Sequence, residues 1–173
     1  MKKQKISYYV ISALIIVGGV LIDQITKLLA VKFLMPMNPD SVTVIKGILN
    51  FTYLENTGMA FGLLPDKRWI FMLVSTVMIV ALSVYLYLGR AENRLYLVSI
   101  AMIISGGIGN MIDRIALGYV VDFIDVRLFD FWKWIFNIAD SLVCVGAGLL
   151  ILALLIDLIG EIKKEKAKHE NNG

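Results

Sequence analysis

The chain has 173 residues, 58% of them hydrophobic, and a formal net charge of +3. A water-soluble globular domain carries about 45–50% apolar residues, so this composition excludes one and requires lipid. No basic segment interleaves with exposed aromatic residues as in single-strand binders, which excludes nucleic acid as a partner and leaves the positive charge to membrane topology.

Residues 8–29 form the first apolar run, long enough to cross a hydrocarbon core about 30 Å thick as a helix. Lys2, Lys3 and Lys5 precede it as they would a secretory signal, but the run continues into Asp23-Gln24-Ile25-Thr26-Lys27 instead of a small-residue cleavage site. It reads as a retained span. Residues 30–68 form an outer segment. Within it, 41–54 is rich in β-branched and aromatic residues and is interrupted by Gly47, which predicts short strands around a bend. Further spans follow at 69–88, 95–115 and 138–159. Between the last two lies a second outer segment, 116–137. Its stretch 119–136 mixes Asp122, Asp125, Arg127 and Asp130 with Phe129, Phe131, Trp132 and Trp134, an amphipathic composition suited to the membrane surface. The charged tail after Gly160 reads as a solvated helix end.

The expected architecture is an all-α integral membrane protein, a single domain over 1–173. Four transmembrane helices would carry a small extracytoplasmic β-sheet and an amphipathic surface segment. Lysine and arginine in short loops mark the cytoplasmic side. They cluster at the N-terminus, at Arg90 and Arg94, and at Lys163, Lys164, Lys166 and Lys168, so both termini are expected in the cytoplasm.

Polar and ionisable residues gather where the outer ends of the spans should be: Asp23, Lys27, Asn56, Asn110, Asp113, Arg114, Asp122, Asn137 and Asp140. A charge inside the bilayer costs roughly 2.5–3.5 kcal/mol on insertion scales, so such groups face a partner or a cavity. Asn110, Asp113 and Arg114 share one helix face by their i, i+3, i+4 spacing, just after Gly106, Gly107 and Gly109, which favour close helix packing. Asn137 and Asp140 have the spacing of a capping box at a helix start. Capping does not account for Asp122, a carboxylate set among Val120, Val121, Phe123 and Ile124. If Asp122 and Asp140 approach each other, the pair holds one proton near neutral pH, the requirement of an aspartic protease. Other hydrolytic chemistry is poorly supplied. The single histidine, His169, lies in the tail, and the single cysteine, Cys144, reads as a small buried packing residue. No zinc site, disulfide or cofactor is expected.

Five blocks in order resemble the lipoprotein signal peptidases, also called signal peptidase II, four-helix aspartic proteases of bacterial membranes. They are Asp23-Gln-Ile-Thr-Lys27, Asn56-Thr-Gly-Met-Ala-Phe-Gly62, Gly106-Gly-Ile-Gly-Asn-Met-Ile-Asp-Arg114, Val120-Val-Asp-Phe-Ile124 and Phe136-Asn-Ile-Ala-Asp140. The resemblance implies that Asp122 and Asp140 are the catalytic pair. It implies that Asn56, Gly58, Asn110, Arg114 and Asn137 contact substrate or the inhibitor globomycin, with Asp23, Lys27 and Asp113 in support. The implied partners are membrane lipids and prolipoproteins carrying a diacylglyceryl-cysteine, cleaved just before that cysteine by a monomer of the bacterial plasma membrane. Two other readings are a transporter, which would place its polar groups at the midplane between repeats, and a non-catalytic scaffold whose polar residues only cap helices.

Overall fold

The computed structural model describes residues 2–37, 41–57, 68–89, 93–127 and 134–171. Four helices, α1 (Lys2–Phe33), α2 (Arg68–Tyr87), α3 (Arg94–Ala116) and α4 (Ile138–Asn171), carry a sheet of β1 (Ser41–Ile45), β2 (Leu49–Asn56), β3 (Val120–Val126) and β4 (Trp134–Phe136). Three of the helices are long and apolar enough to cross a membrane: Ser7–Phe33, Arg94–Ala116 and Ile138–Lys166. The described apolar stretch of α2, Met72–Tyr87, is shorter.

The centre of the bundle is α3, which packs against the other three helices. Asn93 caps its start, its side-chain oxygen accepting from the Leu95 and Tyr96 amides, and so satisfies donors that a helix start leaves without partners. Small residues let its neighbours come close. A Cβ on Gly106 would sit 2.2 Å from the Ala139 carbonyl oxygen, and one on Gly109 would sit 2.6 Å from Asp23 Oδ2. Both close approaches involve residues of the polar site. At the opposite end of the bundle Tyr96, Leu97 and Ala153 form a small core with Tyr8 and Ile11, and Tyr96 Oη donates to Asp157 at 2.5 Å.

The four strands are antiparallel in the order β1-β2-β3-β4. Gly47, with φ +77°, makes the bend between the first two, as the sequence predicts. The segment expected to lie along the membrane surface instead contributes strands at both of its described ends, β3 and β4, while Phe129, Asp130, Phe131 and Trp132 lie outside the described residues. The run Val-Val-Asp-Phe-Ile-Asp-Val has the β-branched content of a strand, and β2 offers the edge it pairs with. Successive side chains of a strand point to opposite faces. Val121 and Phe123 therefore join Ala30, Leu34 and Tyr53 in a core that fastens the sheet to α1, and Asp122 faces the other way. At the sheet's far end the buried Asp125 accepts from Arg127 Nη2 at 2.6 Å and from Thr52 Oγ1 at 2.9 Å.

Candidate active site

The C-terminal ends of α1 and α3, the N-terminal end of α4 and strand β3 meet at one end of the bundle. The turn out of α3 sets the position of β3. Gly118, at φ +87°, reverses the chain, and the Val121 amide then donates to Asp113 Oδ2 at 3.1 Å. This bond fixes the strand one residue before Asp122.

Asp122 is 1% exposed. Its Oδ1 accepts from Asn137 Nδ2 at 2.7 Å and its Oδ2 from Asn56 Nδ2 at 2.8 Å. Asp140 is half-buried in the first turn of α4. Its Oδ1 accepts from Asn110 Nδ2 at 2.7 Å and its Oδ2 from the Asn137 amide at 3.2 Å. The Asp140 amide donates back to Asn137 Oδ1 at 2.9 Å, so the capping box expected from the spacing is formed. The same residue, Asn137, also holds Asp122. Capping and convergence are thus one arrangement, and both carboxylates hang on Asn137.

Burial raises the Asp122 carboxyl to about 7, because removal from water penalises the anion. The Asn56 bond opposes this rise, the nearby Asp140 carboxylate adds to it, and the Asn137 bond and Lys27 oppose it more weakly. By contrast, Asp125 on the same strand lies below the ordinary carboxylate range. Burial would raise it, but Arg127, Thr52 and Asn50 together outweigh burial. Two aspartates three residues apart on one strand are thereby driven in opposite directions by their surroundings.

Beneath the pair lies a charged cluster. The ammonium of Lys27, 3% exposed, is 2.8 Å from Asp23 Oδ2, 2.9 Å from Asp113 Oδ2 and 2.9 Å from Asn110 Oδ1. Asp23 Oδ1 accepts the Ala139 amide at 2.8 Å, tying α1 to the start of α4. Asp113 pairs with Lys27 rather than with its neighbour Arg114, whose Nη1 donates to the Asn110 carbonyl at 3.4 Å. Gln24, in the block Asp23-Gln24-Ile25-Thr26-Lys27, joins the group as well. Its Nε2 reaches Asp113 Oδ1 at 2.9 Å and the Gly109 carbonyl at 3.1 Å, and its place beside Asp23 near the end of an apolar run was the available signal. Among the described residues every fully buried side-chain nitrogen and oxygen has a partner.

A cavity of about 230 Å³ opens beside Asp140, between α2, α3 and α4. Asn110, Arg114 and Asp140 line its polar part, and Ser75, Met78, Val143 and Cys144 complete its wall with Gly106 and Gly107. Cys144 is exposed and is not the buried packing residue the sequence suggested. It stands one turn beyond Asp140 on α4. Gly58 lies outside the described residues. Of the other residues singled out from the sequence, Asp122, Asp140, Asn56, Asn110, Asn137, Asp23, Lys27 and Asp113 are joined in one hydrogen-bonded group, and Arg114 borders it.

Long apolar helices with a buried polar centre at their common end define a multi-pass membrane protein, and the fold is shared with known enzymes of bacterial membranes. One, solved by the in meso method at 2.3 Å resolution, superposes with a TM-score of 0.76 at 39% identity, covering 85% of this chain and 88% of that one. A second, solved at 1.9 Å, gives 0.74 at 39% identity over 83% of this chain and 92% of that one. The family model for signal peptidase II matches residues 15–156. The lipoprotein signal peptidase of Caldanaerobacter subterraneus is 47% identical over 87% of this chain and 99% of its own length. That of Halothermothrix orenii is 43% identical over 78% and 88%. The chain belongs to the signal peptidase II family and is a peptidase.

Proposed function

We propose that this chain is an aspartic endopeptidase with Asp122 and Asp140 as its catalytic pair. Its substrates are prolipoproteins whose cysteine already carries diacylglycerol, cut just before that cysteine. The observation that carries this reading is the convergence of the two carboxylates on Asn137, with Asp122 raised to about 7 so that the pair retains one proton at neutral pH. The names of the relatives support the substrate class.

In the reaction Asp140 accepts a proton from water, whose oxygen attacks the scissile carbonyl carbon, while Asp122 gives its proton to the carbonyl oxygen. Collapse of the tetrahedral diol passes a proton from Asp140 to the leaving nitrogen and breaks the C–N bond. Asp122 recovers its proton from the diol. The products are the signal peptide's new carboxyl group and the amine of the lipidated cysteine. Neither a metal nor a covalent intermediate is required. Asn56, Asn110, Arg114 and Asn137 hold the carboxylates and the substrate backbone, the residues that would also meet globomycin.

The chain is read as crossing the membrane four times. Helix α2, at 20 residues, spans about 30 Å at 1.5 Å per residue, the thickness of the hydrocarbon core. Basic residues at both chain ends and at Arg94 assign that side to the cytoplasm and the sheet to the outer face. Since α2 packs chiefly on α3, the cavity beside Asp140 offers a signal helix lateral entry between α2 and α4. The test is cleavage by the purified protein of one prolipoprotein with and without diacylglycerol. Release of the signal peptide from the lipidated form alone is expected, whereas equal cleavage of both forms would refute the substrate assignment.

A further inference from the structure

Lys27 has no contact with either aspartate of the pair, yet its surroundings constrain one of them. An ammonium is donor-only, with three hydrogens, and Lys27 spends them on Asp23, Asp113 and Asn110 Oδ1. The Asn110 side chain can therefore present only its oxygen to Lys27. Asn137 Nδ2 donates to that same oxygen at 3.1 Å, which reinforces the orientation. The amide nitrogen of Asn110 is thereby turned to Asp140 Oδ1, at 2.7 Å, where it can only donate. The other oxygen of Asp140 already accepts the Asn137 amide. Both oxygens of Asp140 thus face N–H donors, one of them polarised by a buried cation behind it.

Asp122 also accepts two N–H bonds, but they differ in kind. Asn137 Nδ2 divides two hydrogens among Asp122, Asn110 Oδ1 and the Val121 carbonyl, and the Asn137 oxygen accepts the Asp140 backbone amide instead of a cation. The charged groups facing Asp140 are Lys27 from α1, Arg114 from α3 and Asp122 from β3. Lys27 is ion-paired with Asp23 on its own helix and with Asp113 on α3, and it also faces Asp122 on β3 and Asp140 on α4.

We propose that Lys27 is a positioning residue that acts through Asn110 to hold Asp140 as the ionised base and leave the shared proton on Asp122. The inference rests on the reading of Asp122 and Asp140 as the catalytic pair. Its role is more than structural support, because the cation sets an amide orientation on which proton placement depends.

The experiment is the pH–rate profile for cleavage of a diacylglyceryl prolipoprotein by the full chain in detergent. Lys27→Met alone leaves Asp23 and Asp113 as buried like charges and is prone to misfold, so it is paired with Asp113→Asn. The double variant K27M/D113N keeps the net charge of the cluster. D113N alone is the control, and variants are compared only where thermal unfolding shows an intact fold. The acid limb of kcat/KM is expected to move at least one pH unit upward in K27M/D113N relative to D113N, about a tenfold loss at pH values below the limb that vanishes above it. KM should change less than twofold, since Lys27 is buried away from the substrate. A folded double variant whose profile keeps its shape, with rate lowered equally at every pH, would overturn the role of Lys27. Full activity of Asp140→Asn would instead overturn the catalytic pair itself, so the two failures are distinguishable.

Discussion

Substituting Asp122 by Asn should abolish cleavage and at the same time remove the loss of stability that Asp122 brings as pH rises. The Asp122 carboxyl is raised from 3.8 to about 7 in the folded chain. That difference of roughly three units corresponds to on the order of 4 kcal/mol at 1.36 kcal/mol per unit. The folded state binds more protons than the unfolded state between these values. The stability Asp122 contributes is therefore fully present below about 3.8 and is lost as pH rises through about 7. Asparagine does not ionise, so the variant lacks this loss. It has its own cost, because one of the two donors now facing Asp122, Asn56 Nδ2 or Asn137 Nδ2, would meet an amide nitrogen, a mismatch of about 1–3 kcal/mol. The variant should be the less stable protein at pH 4 and the more stable one above neutrality, with the two curves crossing between about pH 4.5 and 6. Thermal unfolding in detergent, followed by far-ultraviolet circular dichroism at pH 4 to 9, measures this. Parallel curves across that range would refute the argument that burial holds the proton on Asp122.

Two further predictions follow from packing. Gly106→Ala places a Cβ against the Ala139 carbonyl and Val143, so α4 must shift at the turn that carries Asp140. A loss of about 1–3 kcal/mol, the usual cost of overpacking, is expected together with reduced cleavage; Gly148→Ala in α4 meets nothing within 4 Å and should gain about 0.5–1 kcal/mol from helix propensity. Unfolding midpoints of the two variants give the comparison, and equal effects would contradict it. Cys144→Phe fills part of the cavity beside Asp140 and removes no member of the hydrogen-bonded group. It should raise KM at least fivefold with the unfolding midpoint retained, as kinetics over a substrate series would show; an unchanged KM would remove that cavity from the substrate path.

How much of this was legible in the sequence depends on the kind of information each feature needs. Asp122 stood out because a carboxylate among four bulky apolar neighbours has no local explanation, and Asn137 with Asp140 carried a capping signal that the structure forms. The bend at Gly47 was readable because turn chemistry is local. The exposure of Cys144 was not. A helix facing lipid is apolar on every side, so its hydrophobic pattern does not tell which face packs on protein. Nor was the pairing of Asp113 with Lys27 rather than Arg114, which requires knowing that α1 and α3 lie side by side. The strand character of 120–126 was obscured by its two aspartates, whose cost is met mostly by partners from other elements, Asn56 and Asn137 for Asp122 and Thr52 for Asp125, with Arg127 added by the residue that follows the strand.

The central claim, that two aspartates perform the cleavage, is tested most directly by assaying purified wild type, Asp122→Asn and Asp140→Asn on a diacylglyceryl-modified prolipoprotein, with folding of each checked by thermal unfolding. The account predicts release of the signal peptide by wild type and at least a thousandfold loss in both folded variants. Activity within tenfold of wild type in either folded variant would contradict it.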